Sequence, residues 1–284
     1  QPKIMYPIPG NATPINIVCT DPEAGGSQVM VFNKYNYFAM KTIGDFKKQM
    51  THQLYNMMLQ SRITELQQDP KVPFIDASAG YENFIGQCDA YSSSVSAKEG
   101  QIENALMAIL KENNRVLKYG FLETELKRAK EELLNNYEVA ANEADKTESY
   151  RFAVEYVENF LRQAPIPGAK REFTFAKKYL QEITLEDVNE LAKQWITKEN
   201  MVAVVLAPQK EGLVIPTETK ILEIINDPSL SNVDAYVDTY KEQELVNVAA
   251  LVPGTVTNTV ELPEVGAKQI TLSNGIKVIL KKTN

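Results

Sequence analysis

Hydrophobic positions along this chain switch between the two-residue period of strands and the 3.6-residue period of helices. Apolar or alternating runs at 14–20 and 27–35 predict two strands around a turn, and 73–97 predicts a second pair. The run at 201–208 is apolar throughout and of strand length, which predicts a central strand buried on both faces. Each predicted pair of strands is followed by a helical pattern, so strands and helices are interspersed.

Helix starts are indicated by two capping boxes. Thr42 with Asp45 predicts the start of a long first helix that ends at Asp69 and Pro70, and Ser96 with Glu99 predicts the start of a second. A charged helical stretch follows, with low helix propensity near its middle. Further helices are predicted at 122–163, broken near 142–149, and at 172–182, 184–197 and 217–226.

This order of elements predicts an α+β fold, an antiparallel or mixed sheet with helices packed on one face. We expect one domain over 1–227, a connector over 228–263 and the opening hairpin of a next domain over 264–284. The hairpin prediction rests on Asn274-Gly275, a type I′ turn signal between alternating runs. We therefore expect an internal segment of a longer protein, with residues from about 264 onward mobile or paired with a neighbouring molecule.

The charge of the chain and the length of its apolar runs argue against nucleic acid and membrane as partners. The net charge of −7 and the pI of about 5.1 argue against nucleic acid or an anionic membrane as a partner. No run approaches the roughly 18 apolar residues of a membrane-spanning helix.

Cys19 and Cys88 lie far apart in sequence, and two buried free thiols are favoured over a disulfide. The cysteines do not identify a cellular compartment.

The residues that could carry chemistry are few. His52 is the only histidine, which excludes every metal site built on two or more, and its mid-helix position favours a structural or surface role. The carboxylates of the 121–138 helix alternate with Lys and Arg, so we expect a solvated face; they are Glu125, Glu131, Glu132 and Glu138. No catalytic, cofactor-binding or metal-ligating residue is predicted.

Four stretches together resemble one known family. They are CTDPEAGGSQVMVFNK (19–34), the long helix and strand at 46–81, FLETELKRAKEELLNNYE (121–138) and ITLEDVNELAKQWITKENMVAVVLAP (183–208). Within 46–81 the family-like positions are Met58, Leu59, Arg62, Glu65 and Leu66, followed by Pro73 and Phe74. In order and spacing, residues 5–226 resemble the second, non-metal-binding domain in each half of the pitrilysin/insulinase zinc peptidases, which include the mitochondrial processing peptidases. The stretch at 19–34 resembles that domain's opening hairpin.

The resemblance implies a processing-peptidase-like fold and a non-catalytic role. Peptidases of this family hold zinc through the two histidines of HxxEH and a distal glutamate in their first domain, and no position of this chain matches those residues. The implied zinc therefore belongs to the parent protein and not to this segment, which is expected to be inactive alone.

The implied partners are an upstream catalytic domain, a downstream second half of the same chain and unfolded peptide substrates. The resemblance implies a bacterial periplasmic or cytoplasmic location, which the sequence itself does not identify. Two alternatives stay open: a domain of a catalytically degenerate family member acting as scaffold or partner subunit, and an independent protein-binding module.

Overall fold

The structure is a computed structural model that describes residues 8–240 and 246–282. The chain divides into two compact units, Gln1–Asp238 and Thr239–Asn284. None of the helices in the described part of the chain is long and apolar enough to cross a membrane.

Within its described residues, the first unit contains five strands and seven α-helices. The strands are β1 (Ile15–Asp21), β2 (Ser27–Asn36), β3 (Phe74–Ile85), β4 (Cys88–Ala97) and β5 (Met201–Pro208). The helices are α1 (Ile43–Gln67), α2 (Ile102–Tyr119), α3 (Glu123–Asn142), α4 (Ser149–Arg162), α5 (Ala169–Tyr179), α6 (Leu185–Trp195) and α7 (Glu218–Asn226).

The five strands form one mixed sheet in the order β1-β5-β2-β4-β3. Strands β2, β3, β4 and β5 pair antiparallel, whereas β1 pairs parallel with β5, starting at Ile15 opposite Val202. The predicted α+β class with a mixed sheet and helices is confirmed. The hairpin expected from 19–34 is wrong, because β5 lies between β1 and β2.

The core lies between the sheet and the helices. Helix α1 packs on β3 and α2 packs on β2 and β4, while α3, α5 and α6 pack around α1 and α2. Alternate strand side chains point into this layer, as the two-residue period requires. Fully buried members include Val29, Val95, Val205, Met50, Leu54, Leu59, Leu106 and Ile109.

Strand β5 is interior, as predicted, but its two faces are not equally buried. Ala203, Val205 and Ala207 have no exposed surface, whereas Val204 and Leu206 on the other face are half-buried. On β4, which β2 separates from β5, the outer face carries serines rather than large apolar side chains. The expected burial on both faces is therefore only partly present.

The helix boundaries test the two predicted capping boxes. Thr42 accepts a hydrogen bond from the amide of Asp45, and the Asp45 carboxylate accepts from the Thr42 amide at 2.8 Å, so the first box is confirmed. The second is wrong, because Ser96 lies within β4 and α2 begins only at Ile102. The predicted break is confirmed, since α3 ends at Asn142 and α4 begins at Ser149.

Part of the expected connector packs on the first unit. A 3-10 turn at Pro228–Ser231 contacts α2, and the side chains of Leu230 and Val233 are buried. The first compact unit therefore ends after Asp238. A connecting role for 228–263 between domains of a longer protein stays a prediction.

The second unit contains a three-stranded antiparallel sheet in the order β6-β7-β8. Its strands are β6 (Val256–Leu262), β7 (Ala267–Leu272) and β8 (Lys277–Lys281), so the hairpin expected at 268–281 is present as β7 and β8. The predicted type I′ turn is wrong, because φ is positive at Gly275 but not at Asn274. The amide of Leu272 donates a hydrogen bond to the carbonyl of Ile276. This is the longer hairpin loop that ends in a left-handed glycine. The mobility or intermolecular pairing expected from residue 264 stays a prediction.

Candidate functional site

The single histidine lies in an aromatic cluster at the centre of α1. The ring centroid of His52 is 4.9 Å from those of Tyr81 and Trp195, both approached edge-on, and 5.3 Å from that of Phe38. Tyr81 and Trp195 stack on each other at 4.5 Å. Burial lowers the pKa of His52 to about 4, and the positive charge of Lys48 contributes in the same direction. The imidazole is therefore neutral near pH 7, and it packs as a ring among the surrounding aromatic side chains.

A shallow pocket of about 350 Å³ opens beside this cluster and has His52, Lys48 and Trp195 in its wall. The Nε2 atom of His52 is buried and has no hydrogen-bond partner among the described residues. The surroundings do not suit a zinc ion, because they are aromatic rings and a lysine rather than thiolates, imidazoles or carboxylates. Across the described ranges no group of three or more His, Cys, Asp or Glu side chains is placed to hold a metal ion.

The two cysteines do not add a ligand set. Cys19 lies on the edge strand β1 and is exposed, whereas Cys88 is buried on β4, with β5 and β2 between the two strands. Both thiols are free, as expected, but the burial expected for Cys19 is wrong. The two thiols therefore do not come together in the sheet.

The strongest polar arrangement is an ion pair between α1 and α3. Arg62 Nε and Nη2 donate to the two carboxylate oxygens of Glu125, each at 2.7 Å, and Nη2 also donates to the carbonyl of Gly120 at 3.0 Å. Glu125 in turn accepts from the amide of Leu122 at the start of α3. Both charged side chains are almost completely buried. This bidentate geometry fixes the first turn of α3 against the last turns of α1.

A second carboxylate completes the cluster. Glu112 of α2 is buried, is paired with Arg115 one turn further on, and has Oε1 at 3.8 Å from Arg62 Nη1. Burial raises the pKa of Glu112, an effect that outweighs the opposing influence of Arg115 and Arg62. Neither Arg62 Nη1 nor Glu112 Oε1 has a hydrogen-bond partner within the described part of the chain.

The outer side of the cluster is covered by the segment that follows α7. The ring of Tyr236 lies 4.2 Å from the Arg62 guanidinium carbon, and its hydroxyl donates to Glu65 Oε2 at 2.7 Å. Two residues later, Asp238 accepts a hydrogen bond from Arg128 at 2.8 Å. These contacts bind three helices and the segment 233–238 into one structural clamp.

The alternating charges of the 121–138 helix predicted a solvated face for Glu125, which is wrong, and the clamp was therefore not predicted. Glu125, Ala129 and Leu133 share one helical phase, and all three are buried. Arg62 likewise follows Met58 by four residues on the apolar side of α1. An arginine and a glutamate that each fall in an apolar helical stripe would have predicted a buried pair.

Comparisons with known proteins cover almost the whole chain. A curated relative, a PQQL-like zinc protease of Arabidopsis thaliana, is 25% identical over 280 residues, which are 99% of this chain and 26% of the relative. The chain thus spans about a quarter of the length of that relative. No protein-family model matches the chain.

Solved structures share the fold at lower identity. The periplasmic protease PqqL of Escherichia coli superposes with a TM-score of 0.76 at 17% identity, over 99% of this chain and 31% of that one. The structure of the first half of PqqL gives 0.74 at 14% identity, over 84% of this chain and 51% of that one. A peptidase M16 inactive domain from Pseudomonas fluorescens gives 0.52 at 16% identity, over 76% and 48%.

Proposed function

We propose, on the premise that this chain resembles the pitrilysin/insulinase-type zinc peptidases in sequence and in fold, that it is an accessory domain of a longer zinc-dependent endopeptidase. In this role the domain packs on the catalytic domain of the same polypeptide and helps to enclose unfolded peptides. Zinc and the catalytic residues belong to the catalytic domain. The chain by itself hydrolyses no peptide.

The observation that supports this proposal most directly is the extent of the structural match. The superposition takes in 99% of this chain and only 31% of PqqL. The curated relative, named a zinc protease, likewise continues far beyond the matched region. An accessory domain within a larger peptidase accounts for both coverages, because most of the relative's length then belongs to other domains.

The chemistry of the described residues agrees with this assignment. Zinc peptidase sites keep three protein ligands and an open position for water. Here the single imidazole is surrounded by Phe38, Tyr81 and Trp195, and its low pKa comes from burial. The buried carboxylates Glu112 and Glu125 are engaged by arginines. Each candidate group is thus committed to packing or to an ion pair.

The test compares this chain with the full natural gene product from which it comes. Both are incubated with unstructured quenched-fluorescent peptides, with added zinc and with a chelator, and bound zinc is measured by elemental analysis. We expect chelator-sensitive hydrolysis and stoichiometric zinc only in the full gene product. Chelator-sensitive turnover by the purified chain itself would overturn the proposal.

The same experiment separates the alternative of a catalytically degenerate parent. A full gene product without an HxxEH motif, without bound zinc and without turnover would instead favour a scaffold or partner subunit. If the full gene product is no longer than this chain, the alternative of an independent protein-binding module is favoured.

A further inference from the structure

Helix α4 presents its apolar side to solvent. None of its residues is buried, and it makes no extensive contact with another helix or strand among the described residues. Phe160 is 81% exposed and Tyr156 is 60% exposed. Further exposed apolar side chains on this helix are Tyr150, Phe152, Val154, Val157 and Leu161.

The polar side of α4 faces the rest of the first unit. At 100° per residue the apolar side chains cover roughly half of the helix circumference, and the least exposed residues lie on the opposite arc. They are Glu155, Glu158 and Arg162. The Arg162 guanidinium carbon lies 5.2 Å from the ring centre of Tyr37 on the first unit.

This orientation is the reverse of an ordinary surface helix, whose apolar stripe faces the core. A groove of about 890 Å³ runs between the end of α3, the start of α4 and the start of α5. Its wall is rich in charge, including Glu148, Arg151, Lys170 and Glu172. A charged groove on the inner side and aromatic side chains on the outer side together indicate that α4 is built to be covered from outside.

The chemistry of the outer face favours a protein surface as the occupant. It contains two tyrosines, two phenylalanines, valines and a leucine, and its charged residues lie on the other arc. Aromatic enrichment with depletion of charge is typical of the buried centre of a protein interface. A membrane-surface helix would instead carry Lys and Arg along its polar face, whereas the polar residues of α4 include Glu155 and Glu158 and the chain is acidic.

We infer that the outward apolar face of α4, centred on Tyr156, Val157 and Phe160, is the surface on which another domain of the same longer polypeptide docks. The inference rests on the proposed function and specifies which surface of this domain makes the contact. The structure of the first half of PqqL supplies the argument for this occupant. The match takes up 51% of that chain, so about half of the same half-molecule is left for a neighbouring domain.

The first test is hydroxyl-radical footprinting of Tyr156 and Phe160 in this chain and in the full gene product. We expect oxidation of both residues to be at least about fivefold slower in the full gene product, because interface cores exclude water. Tyr119, which is 45% exposed at the end of α2, serves as the internal control and is expected to react at similar rates in both proteins. Equal rates at α4 in both proteins would overturn the inference.

The other possible occupants give different results. The first alternative is that oxidation of the α4 side chains slows as the concentration of this chain alone rises. Together with a doubled mass in solution, that result would assign the face to a second copy. Protection in the full gene product that requires an added unfolded peptide would assign it to substrate. Either result overturns docking by a neighbouring domain.

A matched pair of variants provides the second test. Val157→Asp combined with Phe160→Asp should leave the thermal midpoint of this chain within about 2 °C, because both side chains already lie in water. In the full gene product the same pair should remove the protection of Tyr156. Val214→Asp, at a side chain that is 73% exposed in a loop of the first unit, should change neither measurement.

The two proposals can fail separately. A full gene product that hydrolyses peptides with zinc but shows unprotected α4 side chains contradicts only the docking surface. A full gene product without peptidase activity but with protected α4 side chains contradicts only the proposed function.

Discussion

Arg62 and Glu125 are joined by two parallel hydrogen bonds of 2.7 Å across the interface between α1 and α3. The glutamate is on a helix whose other carboxylates are largely exposed, yet its own side chain is only 5% exposed. Because the pair is buried, each member depends on the other for compensation of its charge. The arrangement links the start of α3 to a position about five turns along α1.

Replacing Glu125 by leucine should lower the free energy of unfolding by about 3–5 kcal/mol, since Arg62 would keep a buried charge without its main partner. The double variant Arg62→Met with Glu125→Leu should be less destabilised than Glu125→Leu alone, because the unpaired cation is then absent. Urea unfolding followed by the fluorescence of Trp195 measures both. Glu131→Gln, at an exposed position of the same helix, is the control and should cost less than about 0.5 kcal/mol. A double variant that is no more stable than Glu125→Leu would contradict the pairing.

The neutral state of His52 predicts an acid-dependent loss of stability. Its pKa is about 4 in the folded chain and about 6.5 in an unfolded chain. The unfolded state therefore binds the proton first. The contribution of the neutral ring is complete above pH 6.5 and is lost as the pH falls towards 4, up to about 3 kcal/mol.

The variant His52→Phe isolates this effect, since a phenyl ring keeps the aromatic packing and cannot be protonated. As the pH falls from 7 to 4, the free energy of unfolding of the variant should rise relative to that of the parent sequence. Other titrating groups, including Glu112, contribute to both proteins and cancel in the difference. Parallel stability curves over this pH range would show that His52 is protonated without cost in the folded state.

Gly120 is expected to be intolerant of a side chain for two separate reasons. Its φ is +72°, and a Cβ there would lie 2.7 Å from Nδ2 of Asn189, whose Oδ1 accepts a hydrogen bond from the amide of Phe121. Gly168 has a similar φ of +79° but open space around the Cβ position. Gly168→Ala should therefore cost about 1–3 kcal/mol from backbone strain, and Gly120→Ala at least about 1 kcal/mol more from the displaced hydrogen bond. Equal losses in thermal unfolding would mean that Asn189 moves aside freely.

The segment 228–238 is expected to stabilise the first unit. A chain ending at residue 227 lacks the buried side chains of Leu230 and Val233 and the Tyr236 ring over Arg62. Relative to a chain ending at residue 238, its free energy of unfolding should be lower by about 3–5 kcal/mol, mainly from lost apolar burial. Differential scanning calorimetry of the two chains provides the comparison. Identical midpoints would place the stable boundary at residue 227.

The sequence predicted those features of the fold that local patterns determine. Thr42 and Asp45 form a capping box because both partners lie within one turn, and the break between α3 and α4 follows from a run of weak helix formers. Ser96 and Glu99 have the same local pattern, but Ser96 pairs with Gln28 across the sheet. Strand pairing there overrides the cap, since the ladder satisfies the backbone groups that a helix start would leave open.

Other features depend on contacts that are distant in sequence. The parallel pairing of β1 with β5 cannot be inferred from the turn between β1 and β2, which suggests a hairpin. Periodicity does show that α4 is amphipathic, but it does not show which side of a helix faces the core. For Glu125 the information was present in its helical phase with Ala129, and the many charges nearby obscured it.

The position of β1 in the sheet has a consequence for synthesis and folding of the protein. Its strand partner in the sheet is β5, with Ile15 opposite Val202. At about 5–20 residues per second on a ribosome, β1 waits on the order of 10–40 s after it is made before β5 exists. During that time the rest of the sheet can form from β2, β3 and β4, which are neighbours along the chain. Strand β1 is made before the other four strands of its sheet and is therefore expected to join that sheet last, and its unpaired backbone is where a chaperone is expected to act during synthesis.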